Sequence, residues 1–445
     1  MGRFCSPLRH FAIVALFLWV VAGAGAPCQA RVYLDITAPY LRKIPTAVPV
    51  FKDLGSGDKA GELSRELAGL LAETIDFTGF FEILDRRGFL EDPLEASLAE
   101  SAIPFKNWTI IGAELLVKGG FEYRKDRLKM ELRLFDTFGG HLVIGKRYTG
   151  KLADQRRMIR RFCNDIVHSL TGHEGIFDTQ IAFISTTTGH KEIYIADFDG
   201  YDPAPFTHTG TITLFPAWSS DGHWLAYTDY RNGKPDIYVR NIKEKQGTVI
   251  SFKGSSMTPA WMPGKFALAA SLSHEGNPNL YLLTGKGKII KKLTKYWGID
   301  VSPSWSPDGQ RLTFVSNRSG NPQLYLLNVE EGKPRRLTFQ GRYNTAPQWS
   351  PRGDYIAYTG LGELGHMDIY LISPEGRGPI QLTRDAGNNE SPTWSPDGSL
   401  IAFSSTRSGR STIFVMNANG ENQRPLLTLG GEQTDPCWSP RLSGR

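Results

Sequence analysis

Six tryptophans recur at an almost constant interval in the second part of the chain, and this regularity constrains the fold more than any other feature. Successive tryptophans are separated by 43, 44, 44, 45 and 44 residues, and each follows a proline by two positions. They are Trp218, Trp261, Trp305, Trp349, Trp394 and Trp438. A period of this length with strand-like content is typical of the four-stranded blades of a β-propeller rather than of a helical repeat. The sequence therefore predicts a propeller of six blades.

One full copy of the repeat, residues 392–417, shows how a blade is built. Its sequence, PTWSPDGSLIAFSSTRSGRSTIFVMN, contains a strand that ends at the tryptophan, an S-P-D-G turn, a second strand, an R-S-G turn and a third strand. Proline presets φ early in such a turn and glycine supplies the positive φ that ends it. Asp308 and Asp397 share this context, and Asp221 stands in the similar segment S-S-D-G, so we interpret all three as turn residues and not as metal ligands.

The two ends of the repeat region predict how the ring closes. Residues 181–195 match the later strands but lack a preceding P-x-W, and the last P-x-W, residues 436–438, lacks the strands that should follow it. Joining three strands from the start with one from the end removes the exposed strand edges of an open array. We therefore expect a 3+1 split blade.

Residues 31–172 mix helical and strand patterns and predict an α/β domain ahead of the propeller, which takes residues 173–445. Apolar residues at helical spacing predict one helix around residues 63–74 and a second around residues 159–170. Apolar and charged residues alternate from Leu128 to Leu134, which predicts a strand with one solvated face.

Prolines and glycines refine this prediction. Leu41–Phe51 contains two prolines, so we expect an edge strand or an extended segment rather than a central strand. The pairs Gly119-Gly120 and Gly139-Gly140 are expected to form turns between strands.

The first thirty residues have the pattern of a secretory signal. Arg3 and Arg9 form the charged end, Phe11–Val21 is an apolar run, and the segment ends in the small-x-small site that precedes Arg31. The run is too short to span a bilayer as a stable anchor. A lipoprotein signal at Cys28 is the alternative, but Pro27 stands where a small residue is preferred. We expect cleavage after Ala30 and an exported mature chain, since no later segment reaches membrane-spanning length.

Composition and motifs argue against several classes of function. A formal charge of +6 without a dense Lys/Arg tract argues against nucleic-acid binding. G-x-S-x-G, H-E-x-x-H and C-x-x-C are all absent from the sequence, so we expect no catalysis, no metal and no cofactor.

His168 and His173 are expected at the surface. The arginines between residues 156 and 161 suggest a solvated helix face, with contact to an acidic protein as the alternative. Cys163 and Cys437 are interpreted as buried thiols, a disulfide remaining the alternative.

The chain resembles the TolB family, the periplasmic component of the Tol–Pal system of Gram-negative bacteria. The resemblance covers nearly the whole mature chain and rests on the order of the two domains and on four segments. These are Ile44–Pro49, Phe81–Asp85, Gly298–Trp305 and Gly341–Pro347. The W-S-P-D-G repeats by themselves are shared by many exported propellers. The chain departs from the pattern in its second blade, where Met262-Pro263-Gly264 replaces S-P-D-G.

The resemblance implies a non-catalytic adaptor, which we expect to be a monomer. It implies binding of the peptidoglycan-associated lipoprotein Pal through a propeller face and of TolA through the N-terminus. These contacts would support outer-membrane integrity and constriction during cell division, and bacteriocins are implied as further partners.

The loops that enter each P-x-W strand are diverse where the blades are uniform, and all should emerge on one face. We therefore expect them to hold Pal. The candidate residues are Ser255, Ser256, Thr258, Asp300, Val301, Arg342, Tyr343, Asn344, Asn388, Asn389, Glu390 and Gln433. The TolA candidates are Arg31, Val32, Tyr33, Leu34 and Asp35, which as an extended terminus could add a strand to a partner's sheet edge.

The leading alternative is an exported propeller that binds carbohydrate or peptidoglycan fragments. Tyr296, Trp297 and Tyr343 would then serve as stacking platforms at the mouth of the tunnel. An enzyme with an unrecognised tunnel site is a third and weaker hypothesis.

Overall fold

The computed structural model describes residues 42–55, 60–91 and 97–442. The expected signal sequence and the TolA candidates Arg31–Asp35 lie outside these residues. A mixed α/β region is followed by six four-stranded sheets, which confirms the predicted fold class of an α/β domain and a six-bladed propeller. In the described part of the chain no helix is long and apolar enough to cross a membrane.

The α/β region is built on one mixed sheet with strand order β3-β1-β4-β5-β6, and β2 also pairs with β4. The strands are β1 (Ile44–Ala47), β2 (Lys52–Asp53), β3 (Phe81–Ile83), β4 (Leu115–Arg124), β5 (Arg127–Asp136) and β6 (His141–Lys151). The helices are α1 (Ala60–Asp76), α2 (Phe105–Ile110) and α3 (Gln155–Thr171), and short 3-10 turns lie at Arg86–Gly88, Glu100–Ala102 and Leu152–Asp154.

Strand β1 is a central strand, so the prediction of an edge or extended segment for Leu41–Phe51 is wrong. β1 pairs in parallel with both β3 and β4. Its ladder with β4 begins at Thr46, one residue after Pro45, whose carbonyl accepts the backbone N–H of Glu114 at 2.9 Å. The missing N–H of Pro45 therefore costs no ladder hydrogen bond.

Gly119 and Gly120 lie inside β4 and not in a turn, which corrects the second sequence expectation, whereas Gly139-Gly140 does form one. A Cβ added to Gly119 would lie 2.5 Å from the Phe51 ring, and one on Gly120 would lie 2.6 Å from Leu98. The two glycines remove side chains where neighbouring segments pack directly on the strand. The turn that follows β4 is made instead by Lys125 and Asp126.

The two long helices confirm the helical periodicity of the sequence. α1 buries Leu63, Leu67 and Leu71, and it packs beside α3. α3 buries the whole predicted stripe, which consists of Ile159, Phe162, Cys163, Ile166, Val167 and Leu170. The alternating residues of β5 are likewise buried on one side, with Leu128, Met130, Leu132 and Leu134 inside.

Each propeller blade is an antiparallel meander whose first strand ends at a tryptophan. Blade 1 has β10 (Thr213–Trp218), β11 (Trp224–Asp229), β12 (Asp236–Asn241) and β13 (Gly247–Ile250). Blade 2 has β14 (Ser256–Trp261), β15 (Ala267–Leu272), β16 (Asn279–Thr284) and β17 (Ile289–Lys292). Blade 3 has β18 (Asp300–Trp305), β19 (Arg311–Ser316), β20 (Gln323–Asn328) and β21 (Pro334–Arg336).

The remaining blades complete the ring. Blade 4 has β22 (Asn344–Trp349), β23 (Ile356–Leu361), β24 (Met367–Ile372) and β25 (Ile380–Gln381). Blade 5 has β26 (Asn389–Trp394), β27 (Leu400–Ser405), β28 (Thr412–Asn417) and β29 (Arg424–Pro425). Blade 6 pairs β30 (Gln433–Trp438) with β7 (Gln180–Ser185), followed by β8 (Glu192–Asp197) and β9 (Ala204–Pro205). The last strand of the propeller is therefore hydrogen-bonded to the first.

The meander topology gives the propeller two faces that carry different connections. The chain enters every first strand from the same side, which we call the entry face. Its six connections are residues 206–212, 251–255, 293–299, 337–343, 382–388 and 426–432. The turns between second and third strands lie on this face, and the S-P-D-G turns lie on the opposite face because neighbouring strands are antiparallel.

Candidate functional site

The S-P-D-G aspartates are held within their own turns, as the sequence analysis expected. Asp308 accepts the backbone N–H of Gln310 at 2.9 Å and the hydroxyl of Ser306. The hydrogen bonds from Ser306 and Gln310 hold the pKa of Asp308 below its ordinary value. Asp397 repeats the arrangement by accepting the N–H of Ser399 at 3.0 Å. These residues build the hairpins of the scaffold.

The tryptophans join neighbouring blades. Nε1 of Trp261, Trp305 and Trp394 donates to a main-chain carbonyl of the preceding blade, each at 3.1 Å. Trp218 also donates across a blade boundary, at 3.2 Å, whereas Trp438 donates at 2.8 Å to Oγ1 of Thr179, which directly precedes β7 of its own blade. Nε1 of Trp349 is buried and has no hydrogen-bond partner among the described residues. Among the described residues, the boundaries between blades 3 and 4 and between blades 5 and 6 therefore lack the tryptophan bond that the other four boundaries have.

A repeated irregularity lies just before each P-x-W. In every first strand the register to the second strand shifts at this point, and the residue before the proline has positive φ. The six residues are Phe215, Thr258, Ser302, Ala346, Ser391 and Asp435, with φ between 47° and 54°. Because their side chains share no chemistry, the sequence carried no signal for this β-bulge. The first strands of all six blades line a central cavity of about 600 Å³.

Two carboxylates lie in this cavity, and both have raised pKa values. Burial and the neighbouring charge of Asp435 raise the pKa of Glu390. Burial raises the pKa of Asp435, while a hydrogen bond from Ser391 at 2.8 Å and the positive charge of Lys191 oppose that rise. The described residues contain no cluster of three or more metal-ligating side chains. Tyr296, Trp297 and Tyr343 are not among the described residues that line the cavity.

Six of the twelve candidate Pal contacts are buried, and all but Thr258, the third residue of β14, are the first residue of a first strand. They are Ser256, Thr258, Asp300, Asn344, Asn389 and Gln433. Asp300 accepts two hydrogen bonds from Nη2 of Arg318, at 2.9 and 2.8 Å. Asn344 donates to the carbonyl of Gln340 and to Oε1 of Gln323, both at 2.9 Å. Such residues set the shape of the incoming loops and cannot contact a partner directly.

The other six candidates reach the surface. Arg342, Tyr343, Asn388 and Glu390 are exposed, and Ser255 and Val301 are half-buried. Thus Ser255, Arg342, Tyr343 and Asn388 lie on the entry-face connections. Val301 and Glu390 lie one residue inside the first strands, and Glu390 reaches solvent through the central cavity.

The sequence analysis did not identify four threonines whose hydroxyls bind the backbone of the third strand in their blades. Thr207, Thr294, Thr338 and Thr383 each accept a backbone N–H at the start of the third strand, at 2.8 to 3.0 Å. For three of the four the available signal was a Leu-Thr pair at the blade end, whereas Thr207 follows Phe206; each threonine lies at the beginning of an entry connection.

Two of the four arginines of α3, Arg156 and Arg160, pair within the molecule, whereas Arg157 and Arg161 are exposed, as expected of a solvated helix face. Arg160 contacts Asp197 at 2.8 Å and Arg156 pairs with Asp199, both in blade 6, and the Arg156 guanidinium lies 3.8 Å from the ring centre of Tyr201. These contacts join the α/β region to the face opposite the entry face. Arg157 pairs instead with Asp154 of its own segment.

The remaining candidates behave as ordinary structural residues. Cys163 and Cys437 are both free thiols, Cys163 buried and Cys437 half-buried. His168 is exposed and lies 3.3 Å from Glu174. His173 is also exposed.

Two family models match this chain. Residues 32–143 match the TolB amino-terminal domain, and residues 167–442 match the TolB beta propeller domain. A Tol-Pal system protein TolB from Desulfosudis oleivorans is 50% identical over 290 residues, which cover 65% of this chain and 66% of that protein. A TolB homolog from Chlorobium luteolum is 40% identical over 399 residues, covering 88% of this chain and 89% of that protein.

Coverage differs among the relatives. The match to the Tol-Pal system protein TolB of Syntrophus aciditrophicus, 39% identical, covers 53% of this chain and 54% of that protein. The chain thus matches less than two thirds of the length of the Desulfosudis and Syntrophus proteins. The crystal structure of TolB from Acinetobacter baumannii superposes with a TM-score of 0.77 at 24% identity, over 92% of this chain and 99% of that chain. That likeness supports the fold.

Proposed function

The chain belongs to the TolB family, and on that premise we propose that it acts as a non-catalytic periplasmic adaptor of the Tol–Pal system. It binds Pal through the entry face of the propeller and TolA through the segment Arg31–Asp35. Through these contacts it supports outer-membrane integrity and constriction during cell division. In this proposal residues 31–172 form the N-terminal domain and residues 173–445 form the propeller.

The observation that carries the proposal is the position of the α/β region. Its contacts with the propeller, from Arg156 and Arg160 and from Arg424 to the carbonyl of Phe77, lie on the side of the S-P-D-G turns. The entry face, with its six connections, stays available to a partner. Variable loops on a uniform scaffold are the usual place for a binding surface.

Calorimetry with the mature chain and the soluble part of Pal tests the first half of the proposal. We expect saturable binding that Arg342→Ala and Asn388→Ala weaken, since both side chains are exposed on the entry face. Arg377→Ala is the matched control, because this arginine is 83% exposed in a turn on the opposite face. Absence of Pal binding by the wild-type chain would refute the proposal.

A deletion tests the second half. Removing residues 31–36 should abolish TolA binding in a pull-down and leave Pal binding unchanged, because the two partners use different parts of the chain. If TolA still binds the shortened chain, its site lies elsewhere.

A further inference from the structure

Blade 2 carries a turn that departs from the S-P-D-G sequence. The turn between β14 and β15, residues 262–266, reads M-P-G-K-F and contains no acidic residue. Its last two residues, Lys265 and Phe266, are exposed, Phe266 by 42%. The turn lies on the face opposite the entry face, as the S-P-D-G turns do. The departure therefore places a cation and an aromatic ring on this face instead of an acid.

Two further turns on the same face add positive charge. The β16–β17 turn of blade 2 spans residues 285–288, and the β12–β13 turn of blade 1 spans residues 242–246. The three turns together contain five lysines, no arginine and one carboxylate, Glu244, so their net charge is strongly positive. All five lysines are exposed, and in the described part of the chain none of them forms an ion pair. They are Lys243, Lys245, Lys265, Lys286 and Lys288.

Side-chain contacts of Phe266 bring these three turns together. Its ring centre lies 5.3 Å from that of Trp224 and 5.2 Å from that of Trp261. Trp224 begins β11 and pairs with Asn241, the last residue before the β12–β13 turn. A Cβ added to Gly285 would lie 2.4 Å from the phenyl ring of Phe266, which places the start of the β16–β17 turn against that ring. We call the three turns, with Phe266 between them, the lysine surface.

The β16–β17 turn is fixed in place and packs against blade 1. The N–H of Thr284 donates to the carbonyl of Lys288 at 2.9 Å, and the N–H of Lys288 donates to Oγ1 of Thr284 at 3.1 Å. A Cβ added to Gly287 would lie 3.1 Å from Cγ1 of Ile250 in β13. These contacts use no lysine side chain. The ammonium groups can therefore bind a ligand, or be removed by substitution, without disturbing the turn.

The corresponding turns of blades 3, 4 and 5 carry no such excess of positive charge. Those of blade 3, residues 306–310 and 329–333, contain three carboxylates and one lysine, Lys333. Those of blade 4 contain two arginines and two carboxylates, and those of blade 5 contain two carboxylates and no cation. Lysines often protect the exposed edge of an outer strand, but the five lysines lie in turns, so edge protection does not account for them.

We propose that the lysine surface binds an anionic phospholipid membrane. Lysine ammonium groups are strongly hydrated and stand on flexible stems, so they attract a negatively charged lipid surface without a fixed partner geometry. The core of a protein–protein interface is instead depleted of lysine and enriched in arginine, which these turns lack. The exposed part of Phe266 adds an apolar contact at the boundary between headgroups and acyl chains.

This membrane contact goes beyond the proposed function and does not depend on it. The lysine surface lies on the face opposite the entry face. A protein held on a membrane in this way keeps its entry face free for a protein partner. Because the attraction is electrostatic and the lysines are exposed, binding is reversible and weakens as the ionic strength rises.

Sedimentation of the mature chain with lipid vesicles provides the test. We expect binding to vesicles of phosphatidylglycerol mixed with phosphatidylcholine, no binding to phosphatidylcholine alone, and release by added salt. Lys265→Gln and Lys286→Gln should each weaken binding about fivefold, the factor that one lysine near an anionic surface contributes, and the double variant should weaken it further. Lys333→Gln is the matched control, because it removes the same charge from an exposed turn on the same face of blade 3.

Each outcome decides for or against the membrane contact. Weaker vesicle binding by the two variants, with Lys333→Gln equal to wild type and thermal unfolding unchanged in all three, supports the proposal. Equal binding of wild type to both lipid compositions, or variants that bind as well as wild type, would overturn it. If wild type binds no vesicles, and a cross-linker joins these lysines to an acidic protein in an envelope extract, the surface belongs to a protein partner and the membrane proposal is wrong.

Discussion

Nη2 of Arg160 lies 2.8 Å from Oδ2 of Asp197, and this ion pair connects α3 to blade 6 with 14% and 16% of the two side chains exposed. Replacing Arg160 by methionine removes the cationic partner of Asp197 in a mostly buried place, although the hydrogen bond from Gln180 at 3.4 Å remains. We expect the free energy of unfolding to fall by about 2 kcal/mol, below the cost at a fully buried pair. Urea unfolding followed by tryptophan fluorescence measures the change. Arg157→Met, whose side chain is 51% exposed, should change it by less than about 0.5 kcal/mol.

The missing tryptophan bond between blades 3 and 4 predicts unequal costs for the same substitution. Trp305 and Trp349 are both 6% exposed, but only Trp305 donates Nε1 to a carbonyl, that of Ala260. Trp305→Phe removes that bond as well as ring volume, whereas Trp349→Phe removes volume alone. The first variant should be less stable than the second by about 1 kcal/mol in urea unfolding. Equal stabilities would show that Trp349 has a partner in solution.

Gly119 should not tolerate a side chain. A Cβ there would lie 2.5 Å from Cδ1 of Phe51, and the phenyl ring is itself buried. Gly119→Ala should lower the free energy of unfolding by about 2 kcal/mol through overpacking. Gly145→Ala in β6 is the control, because its nearest neighbour would be 3.6 Å away. A neutral result for Gly119→Ala would mean that Phe51 moves freely.

Asp435, which lines the central cavity, should make the stability of the protein depend on pH. Since its folded-state pKa is raised above the ordinary value of 3.8, its favourable contribution is complete below that value and is lost as the pH rises through the folded-state pKa. Asp435→Asn should therefore have the higher melting temperature near neutral pH, and the difference should vanish towards pH 3.8. Asp308→Asn should show the opposite sign, because the pKa of Asp308 is lowered. Calorimetric melting at several pH values checks both.

Cys163 and Cys437, the two cysteines of the expected mature chain, should stay unmodified in the folded protein. Burial raises the pKa of the Cys437 thiol to about 11, and it also raises that of Cys163, which is fully buried. Because the thiolate is the reactive form, Ellman's reagent should label neither residue until urea is added. A disulfide would instead lower the mass of the chain by about two daltons, because its formation removes two hydrogen atoms.

Much of the fold could be predicted because it rests on local patterns. The interval between the tryptophans, the S-P-D-G turns and the apolar stripe of α3 each depend on residues close together in the chain. The errors came where a neighbour distant in sequence decides the outcome. Pro45 lies in a central strand because the ladder with β4 starts after it, and Gly119 lies in a strand because Phe51 occupies the space of its side chain.

The candidate site shows the same division. Sequence diversity indicated the connections of the entry face, but it could not distinguish Arg342, which is exposed, from Asn344, which is buried two residues later. That difference arises where Asn344 meets Gln323 of the neighbouring blade. The exposure of Trp297 and Phe339 could not be read from the sequence either, since apolar residues in other connections are buried.

The sequence by itself determined the family, the number of blades and the side from which their variable loops emerge, because a repeated hairpin pattern folds in the same way in every copy. Tertiary structure alone decided which loop residues reach solvent and where the α/β region attaches. These depend on packing between blades and on long-range hydrogen bonds such as that from Asn277 to Trp297, and no local pattern encodes such contacts.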